Sequence, residues 1–344
     1  MNLTETDHFE KLDKKRLSIL EDLVRYRALT TTQIKQRYFG GKGYHINNVL
    51  LGLRKKGYIK SRILKGSREG KKGYSYHRIT NKGIELLLDH GKELNVIDVK
   101  DLYLRPTQLK YVLVANDIMM MLSNYGWKAN DSRDVKQKYK IDRRSNILGE
   151  LESPDGKQFG FYVFEHNSDM RTIARIQSEL KSNLGKIKNY LFFTKGQQSF
   201  EKFLQYGHKT NLATGNDLKL ISLKMGVELL SKFPTEQSWV DKLAEIYGFK
   251  VLSMDIPDDE EHQSFPILIE YKGETMYLAD MSYSDLSLTR KLNTYLNSGY
   301  RWEKRRVFVT YMMDKSIELI GEDARTITHE QQISIEDYNE IKGE

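Results

Sequence analysis

Between Arg25 and Lys82 the chain holds 16 Lys and Arg against one acid, Glu69. A one-sided charge of that density attracts a polyanion. Side chains able to read a DNA duplex stand in the same stretch. Asn47 and Asn48 can each bond an adenine edge, and Arg54 or Lys55 a guanine edge or a phosphate. Lys42, Tyr44, His45 and Lys56 flank them, and Lys65, Arg68, Lys71 and Lys72 crowd a glycine-rich run further on. All of these are candidate DNA contacts. His45 and His77 are expected to meet phosphate or to pack, since no other histidine lies at metal-ligand spacing. The bias is local. Residues 1–100 hold 22 Lys and Arg against 11 Asp and Glu, and the rest 33 against 36.

The elements that would carry these side chains follow from apolar spacing. Leu12, Ile19, Leu20, Leu23 and Val24 recur at helical intervals, which predicts an amphipathic helix over 10–27. Thr30-Thr31-Thr32 offers an N-cap for a short second helix burying Ile34 and Tyr38-Phe39. Gly40-Gly41-Lys42-Gly43 ends it in a tight turn. A third helix over 44–56 buries Ile46, Val49, Leu50 and Leu53 and turns its polar side outward. A strand over 57–64, a basic tip, a returning strand over 74–79 and a helix capped by Thr80 complete the set. That order is a winged helix-turn-helix: the third helix enters the major groove and the hairpin lies along the phosphates.

From Leu104 onward two segments repeat one pattern. A helical run over 112–125 ends Tyr125-Gly126-Trp127-Lys128, and one over 239–247 ends Tyr247-Gly248-Phe249-Lys250. Each leads to a strand hairpin (147–152 with 159–165, and 266–271 with 275–281). Each hairpin leads to a helix and then to a buried strand, 190–194 or 306–311. An internal duplication of an α/β unit is the economical explanation. The expected architecture is α+β, with domains at 1–100, 101–232 and 233–344.

The order helix, strand, hairpin, helix, strand resembles the core of the PD-(D/E)xK nucleases. That resemblance implies an Asp near the start of the second core strand, and an acid and a Lys two residues apart on the third. The acids would hold Mg²⁺ and the Lys would position or activate water. In the first unit the matching residues are Asp142, Glu165 and Asn167, with Asn where Lys belongs. In the second they are Asp258, Asp280 and Ser282, or more loosely Asp258, Glu270 and Lys272. With the lysine missing from both units, the cores are expected to be degenerate, kept for architecture and partner contacts. The alternative is metal-dependent DNA nicking through Glu165 or through Asp258, Glu270 and Lys272.

Residues 17–91 also resemble the replication-relaxation family of plasmid and mobile-element proteins. The resemblance rests on Ala28-Leu29-Thr30-Thr31-Thr32-Gln33-Ile34, Tyr38-Phe39, Leu53-Arg54-Lys55-Lys56-Gly57-Tyr58-Ile59 and Tyr76-His77-Arg78-Ile79-Thr80-Asn81-Lys82-Gly83. Phe161-Tyr162-Val163-Phe164-Glu165 is similar to that family's strand ending in Glu. The family's Arg-Pro-Asp has no counterpart, Asp142-Arg143-Arg144 standing nearby without the proline. The resemblance implies a double-stranded DNA-binding protein of a plasmid or phage, acting in replication, transfer or transcription control. Its partners would be replication or transfer proteins; a homodimer is expected separately, because a duplicated unit offers two similar surfaces that suit self-association.

Composition narrows the remaining classes. Cysteine is absent, which excludes disulfides and thiolate metal sites. No apolar run of 18 residues occurs, and the polar start MNLTETDHFE is not a signal peptide, so a cytoplasmic protein is expected. No GxxxxGK loop or paired-histidine nickase motif is present, and no cofactor is expected.

Overall fold

The computed structural model describes residues 13–43, 45–64, 73–210, 217–254, 264–312 and 326–342. It is an α+β protein, with three sheets among the described residues. Among the described residues no helix is long and apolar enough to cross a membrane. Residues 1–120 and 121–344 form two compact units.

In the first unit, α1 (Lys14–Arg25) is capped by the Asp13 carboxylate, which accepts from the Arg16 amide. After β1 (Leu29–Thr30) comes α2 (Thr31–Phe39), where Thr30 and Gln33 exchange hydrogen bonds in a capping box. That box satisfies two amides the first turn leaves without helical partners. Gly40, at φ +55, closes α2 in the left-handed conformation. Helix α3 (Ile46–Lys55) leads to the hairpin β2 (Ile59–Leu64) and β3 (Tyr74–Ile79), then α4 (Asn81–Asp89). The sheet order is β1-β3-β2, all antiparallel. Ile19, Leu20, Leu23, Leu29, Ile34 and Leu87 are fully buried between these elements. Thr80 caps α4 by accepting from the Gly83 amide. A Cβ on Gly83 would lie 2.5 Å from the Tyr58 carbonyl, so only glycine lets this helix start against the chain entering β2.

The sequence places the first domain boundary at 100, but the compact units divide at 120, inside α5 (Pro106–Ser123). The reason is packing. Leu109, Val112 and Leu113 join Ala28, Tyr76 and Leu104 in one apolar cluster. Asn116, 1% exposed, donates through Nδ2 to the carbonyls of Tyr26 and Ala28 at 3.1 and 2.7 Å. Between those carbonyls Arg27 stands at φ +63. Replacing Asn116 by Leu leaves buried acceptors without this donor. The expected cost is about 1–3 kcal/mol, read from urea unfolding followed in the first unit. A loss below about 0.5 kcal/mol would show that the amide does not hold α5 to this unit.

The second unit contains two five-stranded sheets of the same design. The first half runs β4 (Lys128–Asp131), α6 (Ser132–Lys138), β5 (Gly149–Glu152), β6 (Gln158–Phe164), α7 (Met170–Ser182), β7 (Asn189–Thr194), α8 (Gln197–Lys209), β8 (Leu218–Ser222) and α9 (Leu223–Lys232). The second half runs α10 (Glu236–Tyr247), β9 (Lys250–Ser253), β10 (Leu268–Tyr271), β11 (Glu274–Asp280) and α11 (Leu286–Thr294). A π-helical turn (Tyr295–Gly299), α12 (Tyr300–Glu303), β12 (Val307–Tyr311), β13 (Thr328–Gln332) and α13 (Ile335–Lys342) complete it. Both sheets are ordered as in sequence, the first three strands antiparallel and the last two joined in parallel. The repeated Tyr-Gly-aromatic-Lys marks the same corner twice. Gly126 and Gly248 take φ of +86 and +69 after α5 and α10, and Trp127 and Phe249 are buried just before β4 and β9. The start of each hairpin is fastened alike: Ser145 Oγ donates to Glu179, and Ser264 Oγ to Glu303.

The sequence reading stops each half one strand early. β13 reads Thr-His-Glu-Gln-Gln, an edge strand without apolar alternation, and β8 is a five-residue run. The halves are also fastened together. The Leu220 amide donates to the Tyr283 carbonyl at 2.7 Å, and the Leu218 amide to Asp285 Oδ1 at 3.2 Å. Leu286 of α11 is part of the first half's apolar core.

Candidate nucleic-acid interface

Helix α3 separates its two sides cleanly. Ile46, Leu50 and Leu53 are buried, and Val49 is half-buried. Asn47, Asn48, Leu51, Arg54 and Lys55 are exposed and recur three or four residues apart, which puts them on one stripe. His45 precedes the helix, exposed and making no side-chain cap bond. Lys42 and Lys56 are exposed at either end. The α3 stripe carries no acid. Tyr44, Lys65, Arg68, Lys71 and Lys72 lie outside the described residues.

The strand after α3 adds cations that the sequence reading did not single out. Lys60 and Arg62 are exposed two residues apart on β2, so they point to the same side of the hairpin. Their period-two spacing in Ile59-Lys60-Ser61-Arg62 was the available signal.

His77 is part of the support beneath this surface. It is buried on β3, with Nε2 2.9 Å from Thr31 Oγ1 and Nδ1 2.8 Å from Ser61 Oγ. Burial, and then the nearby Arg54 guanidinium, push it down to about 4. It is therefore neutral at pH 7 and ties the first turn of α2 to the hairpin. Of the two roles expected for it, the structure selects packing.

The candidate metal ligands of the second unit do not assemble. Among the described residues no three Asp, Glu or His side chains come together to hold a metal ion. Asp142 is exposed and accepts from the Arg144 amide at 2.7 Å. Glu165 lies 3.0 Å from Lys195 Nζ, and Asn167 Oδ1 accepts from Lys202 Nζ. Lys195, just past the end of the neighbouring parallel strand, is thus the cation paired with Glu165. In the second half, Asp280 accepts from Trp239 Nε1 at 2.7 Å, Thr310 Oγ1 at 2.7 Å and the Ser282 amide at 3.0 Å, and also from Ser282 Oγ. Three of those donors converge on Oδ1, and Oδ2 accepts from Trp239. Glu270 is exposed on β10, and Lys272 sits in the following turn at φ +51. Asp258 lies outside the described residues.

One cluster in this unit has no counterpart in the sequence reading. Lys157 pairs with Asp217 at 2.8 Å and with Glu236 at 3.2 Å, and Lys219 lies 3.5 Å from Asp217. The buried Asp285 is pushed up to about 6 by burial and by Asp217. Lys157, Lys219 and Glu236 line a cavity of about 60 Å³ together with Trp127 and Trp239. Lys157 meets Asp217 and Glu236 from 60 and 79 positions earlier in the chain, so no local motif announces the cluster.

No family model, no curated protein and no solved structure matches the chain. A functional reading therefore rests on the geometry and on the residues themselves.

Proposed function

We propose that the chain binds double-stranded DNA through its first unit, used as a winged helix-turn-helix. Helix α3 lies in the major groove and the β2–β3 hairpin along the phosphates. The observation that carries the reading is the acid-free stripe of Asn47, Asn48, Arg54 and Lys55 on α3, continued by Lys60 and Arg62 on β2. Asparagine amides can bond adenine edges, and the cations meet guanine or phosphate. The matching strand orders of the second unit support a duplicated restriction-endonuclease-like core kept as architecture. Asp280, held by four donors, supports the non-catalytic part of that reading. A role in plasmid or phage replication, transfer or transcription control belongs to the proposal through the resemblance of residues 17–91. A homodimer on paired half-sites belongs to it because a duplicated unit offers two similar surfaces for self-association and a winged helix reads repeated half-sites.

The test is duplex affinity against salt. Log K is expected to fall linearly with log salt, by about 0.9 per phosphate contact. An affinity that ignores salt between 50 and 200 mM would end the proposal. In the same titrations, Asn47→Ala or Asn48→Ala should relax preference at one base pair by about 1–3 kcal/mol, with little change in non-specific affinity. Two variants that keep the parent's site preference would remove these side chains from base reading.

One observation favours a second reading, metal-dependent nicking, namely Lys195 beside Glu165. Supercoiled plasmid incubated with Mg²⁺ or Mn²⁺ separates the two. The binding reading expects no relaxation, whereas relaxation lost in Glu165→Ala would establish the enzyme.

A further inference from the structure

The second unit carries a basic helical face of its own. α11, the π-helical turn and α12 run on continuously from 286 to 303, about 27 Å of helix. Leu292 and Tyr295 are buried beneath it. Arg290, Lys291, Thr294, Asn297, Arg301 and Trp302 are exposed. Their spacing, with Ser298 between, makes one stripe. Trp302 is 86% exposed, whereas the other two tryptophans, Trp127 and Trp239, are 4% and 3% exposed.

Charge says what this face fits. Residues 286–306 hold six Lys and Arg and one acid, Glu303, although residues 101–344 together carry 33 bases against 36 acids. The Glu303 carboxylate accepts from Ser264 Oγ and the Tyr277 hydroxyl, and the six cations still outnumber it. Lys304 is exposed at the end of the stripe. A solvent-facing indole amid cations is costly in water and useful against a flat aromatic partner. π-Helical turns also recur at functional sites.

We propose that this face binds single-stranded nucleic acid. Trp302 stacks on an unpaired base, and Arg290, Lys291, Arg301 and Lys304 follow the phosphates. Single strands are the fitting partner because duplex bases present no open face to an indole. Its residues belong to the second unit, and the duplex contacts proposed above belong to the first.

The experiment titrates the full chain with a 12-residue oligothymidine and follows tryptophan emission. Trp302 emits at longer wavelength than its two buried counterparts, so its signal is separable. The expected result is saturable quenching at the red edge, absent in Trp302→Phe. Trp302→Ala, which leaves no ring to stack, should bind the labelled oligonucleotide about ten-fold more weakly. The Arg54→Ala/Lys55→Ala/Lys56→Ala variant should keep the quenching, which separates this site from the first unit. The proposal is overturned if the parent shows no quenching or if Trp302→Ala binds as tightly as the parent. It is equally overturned if a duplex quenches as well as the single strand, or if the triple variant loses the effect. Self-association of the parent that Trp302→Phe abolishes would assign the face to protein contact and overturn it too.

Discussion

Replacing Arg54, Lys55 and Lys56 together by alanine is expected to lower duplex affinity about 10²- to 10³-fold at 0.1 M salt, with the salt slope flattened by two to three units. Each lost phosphate contact leaves about 0.9 of a counterion on the DNA, and that release is the main driving term at low salt. The three side chains are exposed, so the helix should survive. Leu50 and Leu53 still anchor it. A small penalty arises because cations near a helix C-terminus complement its dipole, a matter of about 0.3–1 kcal/mol each. Circular dichroism separates loss of fold from loss of contact. A folded triple variant that keeps the parent's affinity and slope would move the interface off α3.

Acid is expected to destabilise the first unit by up to about 3 kcal/mol between pH 7 and pH 4, through His77. In the folded chain burial, and then Arg54, hold this histidine at about 4, against an ordinary value of 6.5. The unfolded chain therefore takes up the proton first. Stability is fully present above about 6.5 and is lost as pH falls toward the folded value. Below it both states are protonated and the loss levels off. Amide exchange of Leu29 and Ile79, measured across this range, reads the first unit alone. His77→Gln keeps a polar side chain that does not titrate, so its pH dependence should be shallower than the parent's. Identical pH profiles for parent and variant would show that another group carries the effect.

The sequence and the structure agree most closely where the signal is local. The amphipathic spacing of Ile46, Leu50 and Leu53 is visible in the chain and survives in α3. So do the Thr30 and Thr80 caps, because each bonds an amide three residues away. The Tyr-Gly-aromatic-Lys repeat was readable for a similar reason. A left-handed glycine and a buried ring are requirements of one helix end, met within four residues.

Agreement fails where partners meet through space. Asn116 looks like one polar residue in an apolar helix, and its use depends on carbonyls 88 and 90 positions earlier. Glu165 seems to lack a lysine until the crossover through α7 lays β7 beside β6 and brings Lys195 within 3.0 Å. Asp280 reads as a free acid until Trp239, 41 residues away, donates to it. Trp302 reads as one more aromatic in a helix, and only its position on the packed helix leaves it in solvent.

Charge bias, helix ends and core periodicity are therefore properties of the chain itself, because side chains a few residues apart interact whatever the fold. Which polar group meets which belongs to the tertiary structure. A buried donor takes the acceptor that chain closure brings within about 3 Å, and sequence separation places no limit on that choice.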